Sequence, residues 1–107
     1  MGTRWLVASE VYPTAFAARD ITAIRPSADD TRLMSAIIMD ELVPGIIRRE
    51  SVHSLEAMID RLRAADCDAV VLGCTELPLV LGDANATLPT LDSTRLLARA
   101  ALRRALT

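Results

Sequence analysis

The period of the hydrophobic positions changes several times along the chain, and each change marks an element. Leu33, Met34, Ile37, Ile38, Met39 and Leu42 recur at helical spacing until Pro44-Gly45 ends the pattern, with Asp29 or Asp30 placed to cap its start. From Ser51 onward, Leu55, Met58, Ile59 and Leu62 fall at i, i+3, i+4 and i+7 with charges opposite, which predicts a second amphipathic helix. The pattern then changes to an unbroken β-branched run, Val70-Val71-Leu72, as expected of a parallel strand covered on both faces. After the turn-rich Gly82-Asp83-Ala84-Asn85, Leu88-Pro89-Thr90-Leu91 offers a further short strand. A terminal helix over 93–106 carries Leu96, Leu97, Ala100, Ala101 and Leu102, and Asp92 or Ser93 is its cap.

The amino-terminal part is less regular. A helix from about Ser9, capped by that serine, places Tyr12 and Phe16 one turn apart, and Ile21-Thr22-Ala23-Ile24 reads as a short strand ended by Arg25-Pro26-Ser27. The order helix, strand, helix, helix, strand, strand, helix predicts an α/β fold, a small, mainly parallel sheet with flanking helices, in a single domain over 1–107. A crossover helix near the start needs a strand before it, and only Met1-Gly2-Thr3 precedes this one. The sheet's first strand is therefore expected to be missing.

Composition narrows the function classes. With 107 residues, 51% hydrophobic and 24% charged, the chain matches an ordinary globular domain. The net charge of −2 and the lack of a long basic cluster argue against a nucleic-acid surface, although all 12 cationic residues are arginine. No stretch approaches the roughly 20 apolar residues of a membrane span, and the start lacks a secretory apolar core, so a cytoplasmic location is expected. Cys67 and Cys74 stand about 20 Å apart along an extended strand, too far for a disulfide, and a single histidine, His53, leaves no zinc-type spacing. Cys67 reads as a small residue filling the helix-to-strand junction, and Met34, Met39 and Met58 as packing residues. His53 and the Arg48-Arg49 pair read as solvated groups.

The chemistry concentrates where the strand stops. Cys74 follows Gly73 at the carboxyl end of Val70-Val71-Leu72, where open α/β sheets place ligands, with Gly73 read as permitting a sharp turn. A buried apolar cysteine is the bland alternative. Thr75 and Glu76 add a donor for a substrate carboxylate and a proton-handling partner, and a thiol in such a place can be lowered in pKa. Proton transfer or thiol addition is the chemistry this set suits. Asp92 and Ser93 stand near the same edge besides serving as caps.

The block Gly73-Cys74-Thr75-Glu76-Leu77-Pro78-Leu79, followed by Leu88-Pro89-Thr90-Leu91-Asp92-Ser93-Thr94 and a Leu/Ala-rich helix, resembles the C-terminal half of the aspartate/glutamate racemase family. Gly2-Thr3, with Ser9 and Tyr12 behind it, is similar to the start of that family's second lobe, and Ile38…Asp40-Glu41-Leu42…Gly45 resembles a further segment of it. The resemblance implies an amino-acid racemase that uses no cofactor, built from two α/β lobes that each supply one cysteine. It assigns Cys74 as the second-lobe acid/base, Glu76 as the group that tunes or relays its proton, and Thr75 and, more weakly, Thr3 as substrate-binding residues. The first lobe, with its Cys-Asn-Thr-like motif, has no counterpart here, and Cys67 lies at the wrong end of the strand to replace it. The expected partners are an amino-acid substrate and a separate first lobe or a second copy of the chain, with no nucleic acid and no membrane. Two other readings stand beside this one: a non-catalytic binding or self-association module on the same fold, and a related cysteine-dependent isomerase or decarboxylase acting on malonates or hydantoins.

Overall fold

The computed structural model describes residues 1–107 and places the densest packing around two helices and two short strands. Helix α3 (Ala28–Ile37) runs on into a single π turn (Ile38–Leu42), and α4 (Arg49–Ala64) lies against α3. Strands β1 (Val70–Leu72) and β2 (Thr90–Asp92) pair in parallel, with Val70 opposite Thr90, Val71 opposite Leu91 and Leu72 opposite Asp92. Their hydrophobic positions meet in one cluster: Met34, Ile37, Ile38 and Leu42 from α3 and its π turn, Leu55, Met58, Ile59 and Leu62 from α4, and Val70 and Leu72 from β1. Leu77, Leu81 and Leu88 close it. Most of the apolar stripes legible in the sequence thus form this core, but Leu33 and Met39, also expected there, are 47% and 44% exposed because they fall at the edge of the buried face; the parallel α/β arrangement is the expected one.

Several boundaries moved for local reasons. Ser27, not Asp29 or Asp30, caps α3, because its extended backbone lets its hydroxyl accept the Asp30 N–H at 3.1 Å. Asp30 instead accepts from two of the guanidinium nitrogens of Arg61, Nε and Nη2, at 2.8 Å each, tying α3 to α4. Helix α4 starts at Arg49 rather than Ser51, whose hydroxyl donates to Glu41 at 2.6 Å. The helix stop at Pro44-Gly45 is as expected; Gly45, at φ +88°, adopts a backbone that favours glycine.

The amino-terminal part departs further from expectation. Two short helices replace the one predicted: α1 (Arg4–Ala8), capped by Thr3, and α2 (Val11–Ala17). Ser9 is not the amino-terminal cap expected: it ends α1, Glu10 stands at the cap position of α2, and the Ser9 hydroxyl accepts the Val11 N–H only at 3.4 Å across the break. Tyr12 and Phe16 stack one turn apart with ring centroids 5.4 Å apart. The predicted strand at Ile21–Ile24 is absent. The backbone of Thr22, Ala23 and Ile24 makes no hydrogen bond within the protein, and a β-branched run with no ladder partner has nothing to hold it as a strand.

Met1 stands at the other edge of β1. Its amine donates to the Val71 carbonyl at 2.6 Å and its carbonyl accepts the Gly73 N–H at 2.7 Å, the two bonds of a parallel rung opposite Leu72. After β2, α5 (Ser93–Ala105) contributes no buried residue, and no helix is long and apolar enough to cross a membrane.

Candidate functional site

Register fixes what gathers at the carboxyl edge of the sheet. Leu72 is paired with Met1 on one side and Asp92 on the other, so three chain segments leave the sheet side by side there. Thr3 and Cys74 each lie two residues beyond their rung, and Ser93 and Thr94 follow directly after β2. This is the carboxyl edge at which parallel sheets carry their chemistry.

Cys74 is half-buried, and its sulfur accepts the Leu77 backbone N–H at 3.4 Å as the chain enters the 3₁₀ turn Leu77–Leu79. Burial pushes the thiol above the ordinary value near 9.0; the N–H groups of Leu77 and Glu76 pull it back only in part, and the Glu76 charge pushes it higher. The lowered pKa expected for a thiol at a strand end is therefore reversed, because desolvation outweighs the backbone donors. Glu76 is half-buried at the head of the 3₁₀ turn and makes no capping bond, while the Thr75 side chain is exposed. The Thr3 hydroxyl accepts the Leu6 N–H at 3.5 Å, a long bond that leaves its own proton free to donate.

The strand end is braced by neighbours of modest chemistry. Ser93 donates its hydroxyl to the Leu72 carbonyl at 3.0 Å, and Asp92 spends its carboxylate on the N–H groups of Thr94 and Arg95. Both residues thus serve architecture, Asp92 as the cap of α5. Gly73 is not in a left-handed conformation, so the sharp-turn reading does not hold. A Cβ there would stand 2.4 Å from Leu6 Cδ2 and 3.1 Å from the Met1 carbonyl oxygen, so glycine is needed to let α1 and the first residue come close. Leu6, which also fills the space over Gly2, is the supporting residue that sequence reasoning missed. The glycine directly before Cys74 was the available signal.

Cys67 accompanies the core at the other end of β1, where its N–H bonds the Leu62 carbonyl at 3.1 Å, and both cysteines are free thiols. His53 is exposed, 3.5 Å from Glu56 on its own helix. No three His, Cys, Asp or Glu side chains cluster as a metal site. Two cavities flank the strands and neither includes Cys74: one of about 730 Å³ lies between β1 and Ile21–Ile24, the other, of about 390 Å³, beside β2 and α5. The chemical groups, not these two cavities, mark the candidate site.

The family model for Asp/Glu/Hydantoin racemase matches residues 1–101. The chain belongs to that family. A racemase-family structure from Yersinia pestis, described as a candidate Asp/Glu racemase, superposes with a TM-score of 0.94 at 30% identity. An aspartate racemase homologue from Pyrococcus horikoshii superposes with a TM-score of 0.91 at 22% identity, a likeness of fold. Both comparisons cover 100% of this chain, which spans 47% of the length of each of those proteins. The racemase-family half-fold accounts for the parallel strands and the helices around them.

Proposed function

We propose that this chain is the carboxyl-terminal lobe of a cofactor-independent amino-acid racemase of the aspartate/glutamate type, with Cys74 as one of two thiols that exchange a proton at the α-carbon. The observation that carries this reading is Cys74 itself: half-buried at the carboxyl end of β1, its sulfur held by the Leu77 N–H. An α-proton is weakly acidic, and a thiolate whose proton is held tightly is the better base for it. In one direction the Cys74 thiolate takes the α-proton while a thiol on the facing lobe delivers one to the opposite side of the carbon; in the other direction the roles exchange. Negative charge growing toward the substrate carboxylate is met by the hydroxyls of Thr75 and Thr3, and Glu76 keeps the Cys74 proton in place by its charge. The facing acid comes from a separate first lobe.

The test is deuterium uptake at the α-carbon of aspartate and of glutamate in D₂O, by the chain alone and mixed with the part of the Yersinia pestis protein that it does not match. Exchange is expected only in the mixture and is expected to vanish with Cys74→Ser. Full-rate exchange by the chain alone would refute the two-lobe reading, and exchange that survives C74S would refute the thiol. A second reading, a non-catalytic self-association module, is favoured by α5, whose Leu97 and Leu102 are 70% and 61% exposed, with Leu106 just past its end 78% exposed. Light scattering that shows a dimer, together with no exchange in the mixture, would select it.

A further inference from the structure

Helix α1 leads away from the carboxyl edge of the sheet directly after Thr3, and little packing fixes it there. It has five residues and none is fully buried, so burial of apolar area contributes little to its placement. Three ties hold it instead. Leu6 lies over Gly73, the residue directly before Cys74. At the far end, the Arg25 guanidinium reaches the Val7 and Ser9 carbonyls at 2.8 and 3.1 Å. At the near end, the hydroxyl of Ser35 on α3 accepts the Arg4 N–H at 3.2 Å.

Ser35 stands out among the buried residues as the one with a polar side chain. A buried hydroxyl costs free energy unless it is bonded, and a serine in mid-helix ordinarily bonds back to its own helix or turns to water. The bond that the Ser35 hydroxyl makes within the protein goes across to α1. The first N–H groups of a helix have no partner in that helix, and two of those of α1 are met by hydroxyls: Leu6 by Thr3 at 3.5 Å, and Arg4 by Ser35 at 3.2 Å. Ser35 makes the shorter bond, so Thr3 is not needed to hold the turn and keeps its proton for a ligand. Thr3 also stands between two fixed points. The Met1 carbonyl two residues before it accepts the Gly73 N–H at 2.7 Å, and the Arg4 N–H directly after it is held by Ser35.

We propose that Ser35 is a positioning residue of the racemase site: from within the core it fixes the first turn of α1, and so holds the Thr3 hydroxyl where a substrate carboxylate beside Cys74 accepts its hydrogen bond. This rests on the reading above, in which Thr3 binds that carboxylate. Ser35 touches no substrate and acts through the Arg4 peptide alone. Ser35→Ala frees the Arg4 N–H and lets the turn shift on its remaining ties, Leu6 and Arg25. A binding group displaced by about 1 Å can cost up to about a hundredfold in rate, so a small movement of Thr3 is enough to be read.

The test has two readouts. In the chain alone, Ser35→Ala is expected to speed amide exchange of Arg4 by about tenfold, and Ser35→Thr, which keeps the hydroxyl, to leave it near the native rate. The second readout is α-deuterium uptake by aspartate in the two-lobe mixture, at a temperature where every variant is fully folded. There Ser35→Ala is expected to lower kcat/KM about tenfold, with Ser35→Thr restoring most of it. In a Thr3→Val background the same Ser35→Ala substitution is expected to lower kcat/KM less than about twofold, because the hydroxyl it positions is already gone. An equal loss in both backgrounds overturns the proposal, since Ser35 then acts on the protein at large and not through Thr3. Unchanged exchange at Arg4 overturns it as well. No uptake with the unsubstituted chain refutes the racemase reading and this role with it, whereas uptake with a loss independent of Thr3 refutes the role of Ser35 alone.

Discussion

The helix pair α3 and α4 and the set α1, α2 and α5 are made from similarly apolar sequence and end in opposite states. On the first, Met34, Leu55, Met58 and Ile59 are 0% exposed and interlock with β1. On the second, none of the three helices contributes a fully buried residue, although Trp5, Val11, Leu97 and Leu102 are large and apolar. Apolar spacing therefore tells which face of a helix seeks cover, and only the neighbours in space decide whether it finds any. Cys74 itself is half-buried at the end of β1, its sulfur held by the Leu77 N–H.

The largest effect expected sharpens this contrast directly. Met58→Ala removes a side chain with no exposure, leaves a cavity, and is expected to cost about 2–5 kcal/mol in urea unfolding. Leu97→Ala, of similar size but on α5, is expected to stay within about 0.5 kcal/mol. If the two substitutions cost the same, α5 is packed in solution and the comparison breaks.

Gly73→Ala probes the seam between the two, and the next largest change, about 1–3 kcal/mol, is expected there. The clash with Leu6 Cδ2, at the end of a flexible side chain, is relieved by Leu6→Ala, whereas the 3.1 Å approach to the Met1 carbonyl is backbone and remains. The double variant is thus expected to be less destabilised than the sum of the single ones. Simple additivity would mean that Leu6 is not what the glycine makes room for.

A smaller effect is expected at Cys74 and is read through pH. Because burial holds the thiol in its neutral form, the folded pKa lies above the unfolded one. The associated stability is then complete below the unfolded value and is lost as pH climbs through the folded value. Two results are expected: alkylation of Cys74 by iodoacetamide with a midpoint above 9.0, and loss of one alkaline titration of stability in Cys74→Ser. An alkylation midpoint at or below that of a free thiol would mean that the backbone donors, not desolvation, govern the sulfur.

How much of this was legible in the sequence follows the same division. The stripes of α3 and α4 carry their own evidence, since most of the residues that fix the period become buried, Leu33 and Met39 being the exceptions. The Gly-Cys-Thr-Glu block was legible as chemistry at a strand end, and the racemase-family resemblance came from the same residues. Ile21–Ile24 was misread because a strand is not a local object: its β-branched residues meet the local requirement and its backbone lacks a partner. The direction of the Cys74 shift was misread for a related reason, as it depends on how much of the surrounding chain excludes water from the sulfur. The role of Gly73 was hidden in Leu6, 67 positions away in sequence.

The least effect is expected where the chain is held by polar contacts in place of packing. The exposed Asp83 carboxylate accepts both the N–H and the hydroxyl of Thr90 at 2.8 Å, which fixes the first residue of β2 and holds the carboxyl below its ordinary 3.8. With the folded value depressed, this contribution is present above pH 3.8 and is lost as pH falls through the folded value. Solvent screens so exposed a group, so the consequence is local: Asp83→Ala is expected to speed amide exchange at Thr90 at neutral pH and to leave the unfolding midpoint nearly unchanged. At acid pH, once intrinsic exchange rates are corrected for, the two proteins are expected to converge as the native carboxyl takes up its proton. A Thr90 amide protected equally in both proteins at neutral pH would show that β2 is positioned by its pairing with β1 alone, and the polar tie would then do nothing that this pairing does not already do.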